Sequence, residues 1–371
     1  MRRMQYPAGN QYVNDYEAIF QAAIANMQAR WNTLRGRYVE LAGYPADVKM
    51  FLTADFHQLT QWYNMFRHIP LARREVINND LVTGLFDYDT WSSDIAEYFK
   101  EPTRGFNLSS CVYCDMAYVN EYEIDPYADA MYDLNNLDDE ELMKKVRTKS
   151  PRSLAIVKAA RPYKTKADFD RVGASLRWVP DKFDKIFKPN YKYRHHFDLD
   201  HVLPKSKCRL VALSLYNLVP SCQVCNQRLK KTKVLGILGQ PYEKLSPTSP
   251  AYDFDGQVEF HIVPNRGVMA GSIRPSTRPQ DYDLQLSPHD PDYGILTKTF
   301  KLQERYVIHK KVALHWLEMN YKYTDARIAM MANSLHHPSF SFKIIKSDIF
   351  QNELYKDGNM CFDKLRRDML K

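Results

Sequence analysis

Apolar residues recur at helical spacing through the first hundred positions. In DYEAIFQAAIANMQARWNTLRGRYVELA, residues Ile19, Phe20, Ala23, Ile24 and Met27 share one face. FLTADFHQLTQWYNMF repeats the pattern with Phe51, Leu52, Phe56, Leu59, Tyr63 and Phe66, and YDTWSSDIAEYF continues it with Trp91, Ile95 and Phe99. Asp89 or Thr90 is the expected N-cap of that last helix. From 143 to 190 the pattern breaks into short helices. Starts are expected at Ser150 before Pro151, at Thr165 before KADF and at Pro180-Asp181. Past residue 240 the chain turns Pro-rich, with VEFHIV as a strand candidate. Helical spacing returns over 300–332, and DKLRRDML predicts a final short helix. The expected class is α+β, predominantly helical.

The periodicity suggests three regions: helical over 1–105, a central part over 106–240, and mixed loop and helix over 241–371. At 371 residues the chain can bury a sizeable core. No apolar run suits a membrane span, and the basic start MRRMQYPAGNQY lacks an apolar signal core, so a cytoplasmic location is expected. Charge is strongly segregated. Residues 115–142 hold ten Asp/Glu and no Lys/Arg, whereas 143–233 hold 23 Lys/Arg against six Asp/Glu. The second block suits a polyanion, although a solvated surface has the same composition.

Four of the six cysteines form two C-x-x-C pairs, Cys111/Cys114 and Cys222/Cys225; Cys208 and Cys361 stand alone. Such spacing points to metal rather than to disulfides. Between the pairs lies FDLDHVLPKS, an apolar run ending in Asp200-His201. A loop leads from it to Asn217 in LYNLVP. Asn226 directly follows the second Cys pair, at the start of a segment carrying Arg228, Lys230, Lys231 and Lys233. Alone, Asp200-His201 reads equally as a strand end or as a metal ligand beside a base.

The order D-H, N, C-x-x-C-N with a Lys close behind resembles the HNH, or ββα-metal, endonuclease family. Within it, a Cys pair on each side resembles phage recombination endonucleases and McrA-like and PtuB-like defence nucleases. DLDHVLPKS also resembles the HNH domain of RNA-guided CRISPR nucleases. The resemblance implies a small ββα-metal core with a zinc knuckle pair, flanked by helical regions. It implies His201 as general base and Asn217 as the residue orienting it across the loop. It implies Asp200 and Asn226 as ligands of one catalytic Mg²⁺ or Mn²⁺, and Cys111, Cys114, Cys222 and Cys225 as ligands of one structural Zn²⁺. Cleavage of DNA to 5′-phosphate and 3′-hydroxyl ends follows. So does contact with nucleic acid through Lys205, Lys207, Arg209, Arg228, Lys230, Lys231 and Lys233. Anti-phage defence, with an ATPase partner protein, is the implied setting.

The chain departs from the family in two ways. The Lys is displaced by one position, and 86 residues separate Cys114 from Asp200. Residues 115–192 are therefore expected as a helical insertion between the knuckles. Part of it resembles a helix-hairpin-helix DNA-binding module in rhythm, without the Gly-hydrophobic-Gly turns. Asp198 shares a strand face with Asp200 and is either a further ligand through water or solvated. His195 and His196 are expected at the surface, and Cys208 outside the metal set. His309, His315 and Trp316 are expected to be structural. The alternatives are an RNA-directed nuclease, which needs the same residues, and a zinc-ribbon nucleic-acid-binding module without catalysis.

Overall fold

Asp55 caps the first long amphipathic helix, its carboxylate accepting a hydrogen bond from the Gln58 amide at 2.8 Å. The helix runs Phe56–His68 and buries Phe56, Leu59, Tyr63 and Phe66 along one stripe. It belongs to a computed structural model that describes the chain except residues 101–104, 107–108, 120, 124–126, 188–192, 237–241, 266–277, 336 and 357–359. For 121–123, 193–195, 279 and 338 it describes the backbone alone. The chain is α+β. Helices dominate, and the described strands form three two-stranded antiparallel sheets. No helix among the described residues is long and apolar enough to cross a membrane.

The three regions expected from the sequence fall into two compact units. Residues 1–120 and 196–371 form one, and residues 121–195 form the other. In the first unit, the helices Gln11–Ala18, Ile24–Arg37, Phe56–His68, Leu71–Val82 and Tyr88–Lys100 supply an aromatic core. Trp31, Trp62 and Phe86 surround Phe51 with ring centroids 4.9–5.3 Å away. The helical period through Ile19 and Ala23 is interrupted: the amides of Ile19, Phe20, Gln21 and Ala23 bond three residues back, and the helix restarts at Ile24. Asp89 and Thr90 are not the cap of the last helix, which begins at Tyr88. Asp87 bonds the Asp89 amide and the Thr90 hydroxyl instead.

Strands β3 (Asp198–His201) and β4 (Leu218–Ser221) pair antiparallel, with Asp198 opposite Ser221 and His201 opposite Leu218. The N-terminal helices hold the loop between them. Tyr16 donates to the Leu213 carbonyl at 2.9 Å, the Ser214 hydroxyl bonds the Phe51 carbonyl, and Asn78 grips both Ser206 and Arg209. Strands β5 (Val258–Pro264) and β6 (Tyr282–Pro288) form a seven-pair hairpin that includes the expected VEFHIV strand. The expected closing helix, Asp363–Met369, packs on β5, where Asp368 accepts from the Phe260 amide at 2.9 Å.

In the second unit, β1 (Glu121–Glu123) pairs with β2 (Tyr193–His195), closing a bundle of five short helices between them. Ser150 caps Pro151–Ala159, and Thr165 with Asp168 forms a capping box on Lys166–Ser175. The bundle has its own core around Leu134, Leu142, Val157, Phe169, Phe183 and Phe187.

Candidate metal centre and active site

The two C-x-x-C segments fold as knuckles. In the first, the Cys111 carbonyl accepts from the amides of Cys114 and Asp115, and Asp115 takes a left-handed φ of 54° that a short polar residue tolerates. In the second, the Asn226 amide bonds the Cys222 carbonyl at 3.0 Å. The four sulfur atoms converge within 4.8 Å of one another, all buried, and Cys114 and Cys222 are 3.9 Å apart. Tetrahedral thiolates at about 2.3 Å from a zinc ion stand roughly 3.8 Å apart, so the quartet can hold one metal ion and is compatible with structural zinc. Outer contacts brace it. The Cys222 amide points at Cys111 Sγ and the Arg305 guanidinium at Cys225 Sγ, each at 3.4 Å. Tyr306 donates to the Cys114 carbonyl at 2.7 Å, and the Phe362 and Lys364 amides bond Asp115. Neither Arg305 nor Tyr306 carries a sequence signal. Cys208 is buried apart from this group.

Asn226 and Lys230 sit on the helix Val224–Lys230 that directly follows β4, so strand, strand and helix occur in ββα order. This helix has π geometry; the Lys231 amide reaches back five residues to the Asn226 carbonyl at 2.8 Å. Asn226 and Lys230, four residues apart, both face β3.

Asn217 holds the β3–β4 loop shut. Its side-chain oxygen accepts from the Leu203 amide at 2.7 Å, and its nitrogen donates to the carbonyls of Leu203 and Val211. The adjacent Ala212 carbonyl lies 2.9 Å from His201 Nε2. A carbonyl only accepts, so Nε2 carries the proton and Nδ1 keeps the lone pair. Burial pushes the His201 pKa down to about 3, and Lys205, Lys230 and Arg209 add to the effect; the bond to Ala212 opposes it. The imidazole is therefore neutral at cellular pH. The Tyr88 ring packs edge-on against it at 4.5 Å.

Asp200 is placed differently from the expected metal ligand. It is buried, with one oxygen 2.9 Å from Lys230 Nζ and the other accepting from the Tyr113 hydroxyl at 2.8 Å. Lys230 also donates to the His201 carbonyl at 2.6 Å. Each Asp200 oxygen thus accepts one hydrogen bond, and a divalent cation there would stand beside the Lys230 ammonium. Lys230 is 0% exposed and corrects the expectation of a surface cation for nucleic acid. Asn226 instead faces Asp198, its amide nitrogen 3.4 Å from Asp198 Oδ2. Both are half-buried, and both offer the oxygen atoms that hard cations prefer.

Of the other expected contact residues, Lys205 is paired with Asp89 at 2.6 Å and lies over the Tyr88 ring. Lys207, Arg228, Lys231 and Lys233 are exposed, and Arg209 is half-buried. His196 is exposed, and the side chain of His195 lies outside the described residues. Trp316 is buried beneath Arg366, and His309 packs on Phe362. In the second unit, the two helices of the hairpin-like segment meet through Phe169 and Phe183, and Lys182 sits 3.4 Å over Trp178.

No family model, curated protein or solved structure matches the chain.

Proposed function

We propose that the ββα segment is a nuclease centre of HNH type that hydrolyses phosphodiester bonds, with DNA the favoured substrate. The observation that carries this reading is His201, held through Nε2 by the Ala212 carbonyl of an Asn217-locked loop, with the Asn226 amide turned to Asp198 three residues earlier on the same strand. His201 Nδ1 takes the proton from the attacking water. Asp198 and Asn226 would hold a Mg²⁺ or Mn²⁺ ion, which supplies charge neutralisation at the scissile phosphate. Asp200, Lys230 and Tyr113 form the scaffold beneath β3 rather than the ligand set. A zinc ion on the cysteine quartet would hold the helix Val224–Lys230 against the first knuckle.

Nicking of supercoiled plasmid with Mg²⁺ or Mn²⁺ tests the reading. His201→Ala and Asp198→Ala should each lose cleavage by at least about a hundredfold, the range for a general base. Equal cleavage by His201→Ala would remove the assignment. An RNA substrate run in parallel separates the RNA-directed alternative.

The buried Asp200–Lys230 ion pair favours one second reading, a zinc-stapled nucleic-acid-binding module without catalysis. It expects binding of the same substrates with no metal-stimulated cleavage by the wild-type protein.

A further inference from the structure

Asn78 lies one helical turn beyond Arg74 on Leu71–Val82, so the two share a face. Asn78 donates to the Ser206 carbonyl at 3.0 Å and accepts from the Arg209 amide at 2.7 Å. Lys207 is thereby presented between two anchored neighbours, beside Arg74. The Arg74 guanidinium in turn donates to the Arg67 carbonyl at 2.8 Å, which joins the end of Phe56–His68 to the next helix. Arg67 itself stands 5.9 Å from the Tyr63 ring. Among the described residues, none of Arg67, Arg74 and Lys207 has a carboxylate partner. The groups that depress the Lys207 ammonium besides its partial burial are Arg67, Arg74 and Lys230, all cations. Beneath Arg67 lie the buried tyrosines Tyr63 and Tyr242, whose hydroxyls both feel the Arg67 charge.

Three cations brought together by the Asn78 and Arg74 bridges, without a counter-charge among the described residues, are an arrangement that an anion completes. We propose that Arg67, Arg74 and Lys207 form a phosphate-binding site for the backbone of a nucleic acid, supplied by the N-terminal helices to the β3–β4 loop. The proposal rests on the nucleic-acid reading above but not on catalysis. Lys207 leaves the same loop that orients His201, so a strand held there runs toward the proposed centre. Lys230 links the two places, bonding the His201 carbonyl and acting on Lys207.

The test is binding of a fluorescent 20-mer duplex, as DNA and as RNA, to the full chain without divalent metal, across a salt series. Lys207 is exposed and its side chain makes no hydrogen bond or ion pair among the described residues, so Lys207→Gln should fold normally. Lys311→Gln, on the exposed face of another helix, is the charge-matched control. Each lost phosphate contact should reduce the slope of log affinity against log salt by about 0.9. Lys207→Gln should show that reduction, and Arg67→Gln/Lys207→Gln about twice it, with Lys311→Gln unchanged. Equal slopes for the double variant and the control would overturn the proposal. So would a wild-type chain that binds neither duplex. If inorganic phosphate at matched ionic strength displaces the duplex at low millimolar concentration, the site takes a free anion and the polymer assignment fails. Because metal is absent, loss of the nuclease reading leaves each of these outcomes in place.

Discussion

Asp200 and His201 are neighbours in sequence with opposite fates. His201 was legible as a base candidate through the family resemblance, which also implies Asn217 as the residue orienting it across the loop. The role of Asp200 was not legible, since its partners come from positions 113 and 230, which only tertiary folding brings near. Removing one member of a buried ion pair strands the other, so Lys230→Met should destabilise the chain by about 3–5 kcal/mol in denaturant unfolding. Lys230→Met combined with Asp200→Leu should recover most of that loss, because no uncompensated charge remains. A double variant no more stable than Lys230→Met would show that the pair matters through something other than its charge. His201 yields a pH prediction. Its folded pKa is lowered to about 3, against about 6.5 for a free imidazole, so below that upper value the unfolded chain binds a proton that the folded chain refuses. Stability from this group is therefore full above about pH 6.5 and falls as pH drops toward 3, by up to about 1.4 kcal/mol per unit. The unfolding free energy of His201→Gln should lack that slope between pH 6 and 4. Parallel curves for the two proteins would place the imidazole in water.

The elements show where pattern suffices and where it fails. Caps at Ser150 and Thr165 follow from local chemistry, and the structure has both. The β5–β6 hairpin was half legible: VEFHIV reads as a strand, but its partner β6 lies beyond an intervening segment with no turn signal to fix the register. The pairing of β1 with β2 spans the whole 121–195 unit, a distance over which sequence pattern carries no information. Asn226 and Lys230, four residues apart on the π helix, both reach β3, one at Asp198 and the other at Asp200. The helix Phe56–His68 carries Arg67 near its C-terminal end and is capped by Asp55 at the other. Asp55→Ala should cost about 1 kcal/mol of stability while leaving the salt slope of nucleic-acid binding unchanged, since cap and cation lie at opposite ends. A changed slope would mean that the cation cluster depends on the whole helix being in register.

The whole molecule turns on one set of four cysteines that the sequence places 108 residues apart at its nearest members from opposite pairs and the fold brings within contact. Spacing pointed each pair to metal, and the family resemblance implied one shared site; what surrounds the quartet was not legible. From the last seventy residues, Tyr306, Phe362 and Lys364 brace the first knuckle and Arg305 the second, so the C-terminal region supports the candidate metal centre. The small hairpin β3–β4 and its π helix own little apolar surface, and the second knuckle opens that helix. A metal ion on the quartet should therefore contribute folding free energy to the unit formed by residues 1–120 and 196–371. Elemental analysis should find one tetrahedral metal per chain, with zinc expected from the all-thiolate donor set. Cys222→Ser should lose it and lower the stability of that unit by several kcal/mol. The 121–195 unit has a separate core and contains no member of the quartet, so its helices should keep their protection from hydrogen exchange in the same variant. A Cys222→Ser chain that unfolds at the wild-type temperature would reduce the quartet to four packed thiols. One in which both units lose protection together would show that the metal governs the entire chain rather than the unit it joins.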